Sequence, residues 1–213
     1  MPKVKHELKR LMDFDVIEET NVPTDWCTPI VVVPKDNGQV RICVDLTKLN
    51  EAVQRERIML PTVDHTIGQM AGAKVFSKLD ANSGFHQICL DEESKKLCTF
   101  ITPFGRFSYK RVPFGIKSGP EKFQMEANKA IEGQEGVVCL MDDILVYGKN
   151  QEEHDKRLYQ TLVKLKQAGI TLNKDKCEFN KTEVQFLGQV VGADGVRSSP
   201  KKVEAILKME EPQ

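Results

Sequence analysis

The sequence predicts an α+β fold, an antiparallel sheet with helices on one face. Three observations lead there. Strand-length apolar runs are joined by tight-turn chemistry, Asn37-Gly38 in one place and Pro103-Phe104-Gly105 in another. Capped helical stripes fall between these hairpins. The resulting order is strand, helix, hairpin, helix, hairpin, helix, with no internal repeat and no low-complexity linker.

Taken in order, Val4, Leu8, Leu11 and Met12 recur at helical spacing and predict a leading helix over 3–14. Pro23 and Pro29 break the chain, and β-rich runs over 30–33 and 40–44 flank the Asn-Gly turn. A short helix over 62–70 precedes a strand over 74–79 that closes on Asp80. Residues 97–102 and 106–112 form the arms of the second hairpin. Ser118 to Glu121 reads as a helix start, with serine as cap, Pro120 in the first turn and glutamate completing the capping box. Phe123, Ala127 and Ile131 continue that helix on one face, and Gly133 and Gly136 end it. Strands over 137–141 and 144–147 enclose Asp142-Asp143. Asn150 caps a helix with Leu158, Leu162 and Leu165 on its apolar face, stopped by Gly169. Residues 185–191 predict a strand pair or hairpin arm, and 200–209 a last short helix.

The chain has 213 residues, a length for one large domain or two small ones, and its 40% hydrophobic content supplies a real core. No run is long enough to span a membrane, so no membrane partner is expected, and the first residues lack the apolar stretch of a signal peptide. Cys27, Cys43, Cys89, Cys98, Cys139 and Cys177 share no C-x-x-C spacing and read as small core residues in a reducing compartment. His6, His65, His86 and His154 share no metal-ligand spacing and read as structural or solvated. Lysine plus arginine equals aspartate plus glutamate at 31 each, a balance that argues against tight nucleic-acid binding. The basic residues nonetheless cluster, in 3–10, 35–41, 110–111 and 164–181, which permits weak, salt-sensitive binding.

Asp142 and Asp143 carry the chemical signal. Carboxylates at strand ends against a core meet desolvation and mutual repulsion. For a bare Asp-Asp, a turn tip in solvent is the better explanation, and only the company these residues keep overturns it. If the sheet sets Asp80 beside the 142–143 hairpin, however, three carboxylates from separate strands converge. Two hard divalent cations would then offset their charge, as in two-metal phosphoryl transfer. Spacing alone does not separate polymerase, nuclease and cyclase.

Asp80-Ala-Asn-Ser-Gly-Phe-His-Gln-Ile88, Val112-Pro-Phe-Gly-Ile-Lys-Ser-Gly-Pro120, Leu140-Met-Asp-Asp143 and Phe186-Leu-Gly188 occur in that order. They resemble successive motifs of the reverse transcriptases of gypsy-type long-terminal-repeat retrotransposons, relatives of the retroviral enzymes. Residues 26–50 are similar to the fingers of that family, and Gly169-Ile-Thr-Leu-Asn-Lys-Asp-Lys-Cys177 to its next palm motif. The resemblance covers nearly the whole chain and implies a right-hand polymerase palm with a fingers subdomain. Fingers would take roughly 1–72 and 87–111, and palm roughly 73–86 and 112–199, in one interleaved domain over 1–213, without thumb, connection or RNase H regions. It implies RNA-directed DNA polymerase activity, extending a primer 3′-hydroxyl with deoxynucleoside triphosphates on an RNA or DNA template.

By the same resemblance, Asp80, Asp142 and Asp143 hold two magnesium ions, with manganese as a substitute, and Lys176 protonates the pyrophosphate leaving group. Lys35, Arg41, Ala81, Phe85 and Phe114 bind the incoming nucleotide: Lys35 and Arg41 at its triphosphate, Phe85 as a gate against the sugar 2′-hydroxyl. Phe186, Leu187 and Gly188 form the primer grip, with plain strand packing an equal alternative. Phe114 stands where retroviral enzymes have glutamine, Gly119 stands where the family favours alanine or serine, and 124–129 departs from the family pattern. The location implied is the cytoplasm, retroelement particles or the nucleus. Two other readings compete: a catalytically silent, retroelement-derived nucleic-acid-binding module, and an RNA-directed RNA polymerase palm. Phe85 discriminates against the second, because an aromatic wall would exclude its substrates. Oligomeric state, template preference and the relation of the chain to any larger polyprotein are not written in these motifs.

Overall fold

In the computed structural model the described residues are 1–34, 38–55, 58, 62–200, 203–204 and 208–209. In chain order the first elements are α1 (Pro2–Asp13), β1 (Ile17–Glu19), β2 (Cys27–Pro34), β3 (Val40–Val44), α2 (Thr47–Ala52), α3 (Val63–Gly68) and β4 (Val75–Asp80). Next come α4 (Glu92–Leu97), β5 (Thr99–Thr102), β6 (Gly105–Tyr109), α5 (Gly119–Ile131), β7 (Val137–Leu140), β8 (Asp143–Gly148) and α6 (Gln151–Gln167). The last are β9 (Glu178–Lys181), β10 (Glu183–Phe186), β11 (Gln189–Gly192) and β12 (Gly195–Ser198). Short 3-10 turns cover Gly84–Gln87 and Lys174–Lys176. Among the described residues no helix is long and apolar enough to cross a membrane.

The chain divides into two compact units, residues 1–57 with 83–123, and residues 58–82 with 124–213. The first is built on a five-stranded sheet of order β1-β6-β5-β2-β3. β2 and β3 pair antiparallel from Ile30↔Val44 to Pro34↔Val40, as the two β-rich runs predict, while Asn37 of the connection lies outside the described residues. β2 and β5 run parallel, so this sheet is mixed rather than purely antiparallel. Its core gathers Leu8 and Leu11 of α1, Ile17, Ile42, Leu46, Phe100, Phe107 and Tyr109. The Phe100 and Phe107 rings stack with centroids 5.9 Å apart, and burying such rings dominates the energy of a core this size.

The second unit holds a four-stranded antiparallel sheet, β7-β8-β4-β9, and a three-stranded one, β10-β11-β12. β8 lies between β7 and β4, and its Ile144, Leu145 and Val146 are fully buried, which is why this strand reads as an unbroken apolar run. Phe76, Met70, Val138, Leu145, Val184 and Phe186 form one core. On α6, Asn150 caps as predicted, its side chain accepting from the Glu153 N–H at 2.9 Å, and Gly169 follows the helix at φ 75°.

Four local features differ from the sequence reading. Leu97 and the residues before it are helical because Asp91 caps α4, accepting from the Ser94 N–H at 2.7 Å, so β5 starts only at Thr99. β6 ends at Tyr109 rather than at residue 112. β1 has three residues, too few to show an alternation, and β9 is a polar strand at the edge of its sheet. The segment predicted as a last helix, 200–209, falls largely outside the described residues, as does Lys35.

Candidate active site

β4 and β8 pair without a slip from Val75↔Gly148 to Asp80↔Asp143, so Asp80 and Asp143 stand directly opposite each other. Like charges in that position repel at close range. β7 adds Leu140 on the other side of Asp143, leaving Met141 and Asp142 as the two-residue loop of the β7–β8 hairpin. Met141 adopts φ 55°. Two-residue hairpin loops need a positive φ, and a side chain makes it unfavourable. The Asp142 carbonyl accepts from the Ala81 N–H at 3.2 Å, fastening the turn to the end of β4. The adjoining segment is tied to the same strand end. Asn173 N–H donates to the Asp80 carbonyl at 2.9 Å, Asn82 N–H to Thr171 at 3.0 Å, and Ala81 bridges Leu172.

The three carboxylates are not equivalent. Asp143 Oδ1 lies 3.1 Å from the Lys78 ammonium, and Asp80 Oδ1 lies 3.5 Å from that of Lys176. Among the described residues Asp142 has no such partner, and its buried Oδ1 accepts no hydrogen bond. Burial, followed by the charges of Asp80 and Asp143, holds the Asp142 carboxyl above the usual carboxylate range, with Lys176 opposing them. A buried carboxylate oxygen without a donor, beside two more carboxylates, fits a hard divalent cation. Among the described residues no group of three or more histidine, cysteine, aspartate or glutamate side chains is gathered closely enough to hold a metal ion. The two ammonium groups occupy the outer carboxylates instead. Behind the hairpin, burial raises the Cys139 thiol to about 12, an inert packing group.

The turn of β10–β11, Leu187-Gly188, has both residues at positive φ, 52° and 74°, as a type I′ loop requires. Phe186 is wholly buried in the core with Phe76, so its ring anchors the hairpin and any grip comes through the turn.

In the other unit, Phe85 and Phe114 are brought together with ring centroids 5.1 Å apart, and His86 meets Phe114 edge-on at 4.7 Å. Phe114 remains 48% exposed, so the cluster offers an aromatic surface. Burial pushes the His86 imidazole down to about 4, aided by Arg10 and opposed by Glu7. A Cβ at Gly119 would meet the Phe85 ring at 3.8 Å and Val112 at 3.6 Å, ordinary contact distances, so alanine would fit there. Arg41 is exposed on β3 opposite Val33.

Residues 33–191 match the family model described as reverse transcriptase (RNA-dependent DNA polymerase). The chain belongs to the reverse transcriptase family. It is 35% identical over 217 residues to the retrovirus-related Pol polyprotein from transposon opus of Drosophila melanogaster, covering 99% of this chain and 21% of that protein. It is 32% identical over 215 residues to the transposon Tf2-3 polyprotein of Schizosaccharomyces pombe, covering 100% of this chain and 16% of the relative. The chain thus spans about a fifth of the length of these curated relatives. Among solved structures, the foamy viral protease-reverse transcriptase dRH in complex with double-stranded DNA superposes with a TM-score of 0.90 at 22% identity, covering 100% of this chain and 37% of that one. The foamy viral protease-reverse transcriptase in complex with an RNA/DNA hybrid superposes at 0.84 and 21% identity, covering 100% and 28%. At those identities the likeness establishes the fold, a reverse transcriptase fingers-and-palm architecture.

Two residues of this reverse transcriptase site escape a motif reading. Lys78 precedes Asp80 by two positions on a strand, so the period of two already sets both on one face. Gln124 sits beside the apolar stripe of α5, only 1% exposed, and bonds to the hairpin turn. Its signal is an uncharged polar residue in a buried helical row, which is visible but not specific.

Proposed function

We propose that this chain is the fingers and palm of an RNA-directed DNA polymerase that extends a primer 3′-hydroxyl with deoxynucleoside triphosphates on an RNA or DNA template. One observation carries the reading: Asp80 lies in register against Asp143, with the unpartnered carboxylate oxygen of Asp142 buried at the turn beside them. Asp80, Asp142 and Asp143 would hold two magnesium ions, with manganese as a substitute. Bound there, such ions supply positive charge to the attacking primer oxygen and to the leaving pyrophosphate.

The chain's own residues do the rest. Lys176 neutralises Asp80 and, with its ammonium exposed, can give a proton to the leaving pyrophosphate. Arg41, exposed on β3, would meet phosphate oxygens through a planar donor fork. Phe85, braced by Phe114, lies under the sugar and rejects a 2′-hydroxyl by overlap, while the Ala81 backbone flanks the nucleotide. The Leu187-Gly188 turn holds the primer end. A catalytically silent module would leave the carboxylate cost at Asp142 without a purpose.

The test is primer extension by the purified chain and its Asp142→Asn variant, with magnesium and with chelator. A neutral amide cannot offset cation charge, and electrostatic stabilisation is usually the largest catalytic contribution, so the variant should lose activity by about a thousandfold or more. Equal extension by both proteins, in preparations free of other polymerases, would overturn the assignment.

A further inference from the structure

We propose that Gln124 is the positioning residue of the carboxylate turn, its side-chain amide holding Met141 in the left-handed conformation from which Asp142 and Asp143 follow. The catalytic part of this inference rests on the polymerase reading above. The structural part does not.

Gln124 is 1% exposed, so its amide needs partners to be buried at all. Those partners are specific. Oε1 accepts from the Met141 N–H at 2.6 Å, and Nε2 donates to the Cys139 carbonyl at 2.9 Å and to Asn128 Oδ1 at 2.8 Å. A backbone carbonyl only accepts and a backbone N–H only donates, so these two contacts fix which end of the amide faces which group. The side chain therefore brackets Leu140 from both sides and closes onto the loop residue itself.

Met141 is where the hairpin most needs such help. Its φ of 55° is unfavourable for a side-chain-bearing residue, and 51% of it is exposed, so its own packing does little to hold that conformation. Hairpin register follows turn geometry, and a change in the loop would turn the residues after it toward the other face. Asp142 is in that loop, and Asp143 starts β8 opposite Asp80. Asn128, one helical turn beyond Gln124, takes the second amide proton and keeps the group from rotating.

The experiment uses the full chain labelled with 13C-methyl methionine, whose seven methionines give few signals. Met141→Leu assigns the Met141 resonance. In Gln124→Leu, of similar bulk but without hydrogen bonds, that resonance should shift and broaden while those of Met12 and Met70 stay in place. Primer-extension kcat should fall about a hundredfold, the scale of an ångström-sized misplacement. The nucleotide KM should stay within a few-fold. Should Gln124→Leu fail to fold, Asn128→Leu at an exposed position decides, and a smaller displacement of the Met141 signal is expected. An unmoved Met141 signal in the folded variant overturns the clamp whatever the activity. A displaced signal in a chain whose wild-type form extends no primer upholds the clamp and overturns the polymerase reading.

Discussion

Ser77 and His154 are 77 residues apart in sequence, and both are fully buried. The His154 ring joins α6 to β4, with Nε2 2.9 Å from Ser77 Oγ and Nδ1 2.9 Å from Asp155 Oδ1. A carboxylate accepts only, so Nδ1 carries the proton, and in the neutral ring Nε2 is left to accept from the Ser77 hydroxyl. The same hydroxyl oxygen accepts from the Asn180 N–H of β9 at 3.1 Å. One side chain thus satisfies two elements, on the strand that ends at Asp80. Ser77→Ala keeps the volume nearly unchanged but strands the Nε2 acceptor and the Asn180 donor. Asn180 is exposed on the edge strand and its N–H can turn to water, so the cost is mainly that of the stranded buried acceptor, about 1–3 kcal/mol. In a chain of this length that lowers Tm by about 2–12 °C. Urea unfolding at neutral pH measures it directly, with Ser77→Thr as a control that keeps the hydroxyl. A loss under about 0.5 kcal/mol, the range of an uninvolved surface change, would refute the network as drawn.

Three further outcomes are expected. Asp142→Asn should raise the stability of the metal-free chain at neutral pH, because the native carboxyl titrates above its ordinary 3.8 and the buried charge opposes folding once ionised. The sign follows from linkage: the gain is absent at pH below the ordinary value, where both states are protonated, and grows as pH rises through the shifted one. Thermal melts from pH 3 to 8 check it, and a variant less stable at pH 7 contradicts the repulsion. Phe85→Val should let ribonucleotides be incorporated while deoxynucleotide efficiency falls, read as the ratio of the two kcat/KM values. An unchanged ratio makes Phe85 a packing residue only. Lys78→Met should tighten magnesium or manganese binding by about two- to fivefold in calorimetric titration, the scale of a partly exposed ion pair removed from competition. Weaker binding would mean the ammonium supports the cation site instead.

What the sequence disclosed and what it hid have separate physical causes. Asp80, Asp142 and Asp143 stood out because carboxylates that interrupt apolar strand runs violate a local pattern, and a local violation is readable. The β2–β3 hairpin was readable for the same kind of reason, since Asn37-Gly38 is turn chemistry confined to neighbouring residues. α4 was lost because its cap, Asp91 to Ser94, precedes six residues that bury nothing and so show no apolar stripe. Ser77 and His154 gain their meaning only from each other, across 77 residues. No window of the sequence contains both. Gln124 is intermediate, a polar residue in a buried row whose partner is a backbone that sequence does not describe. Each compact unit is assembled from two separate stretches, an arrangement that no local periodicity discloses.

The β7–β8 hairpin concentrates the departures from ordinary folding preference in the second unit. Its loop puts a methionine at positive φ, its turn buries a carboxylate oxygen with no donor, and its first strand residue faces another carboxylate in register. Each of these raises the energy of the free chain, by roughly 1–3 kcal/mol for a backbone outlier alone. Each is also restrained by a specific group: Gln124 on the loop, Ala81 N–H on the Asp142 carbonyl, and Lys78 and Lys176 on the outer carboxylates. Restraint of this kind gives rigidity rather than stability, because an apolar hairpin with a glycine in the loop would fold more favourably without any of it. The carboxylates, each partly exposed, are therefore set in a fixed array before any ligand arrives. That is the condition for electrostatic catalysis, in which the charge arrangement is built during folding and needs no rearrangement when the substrate reacts.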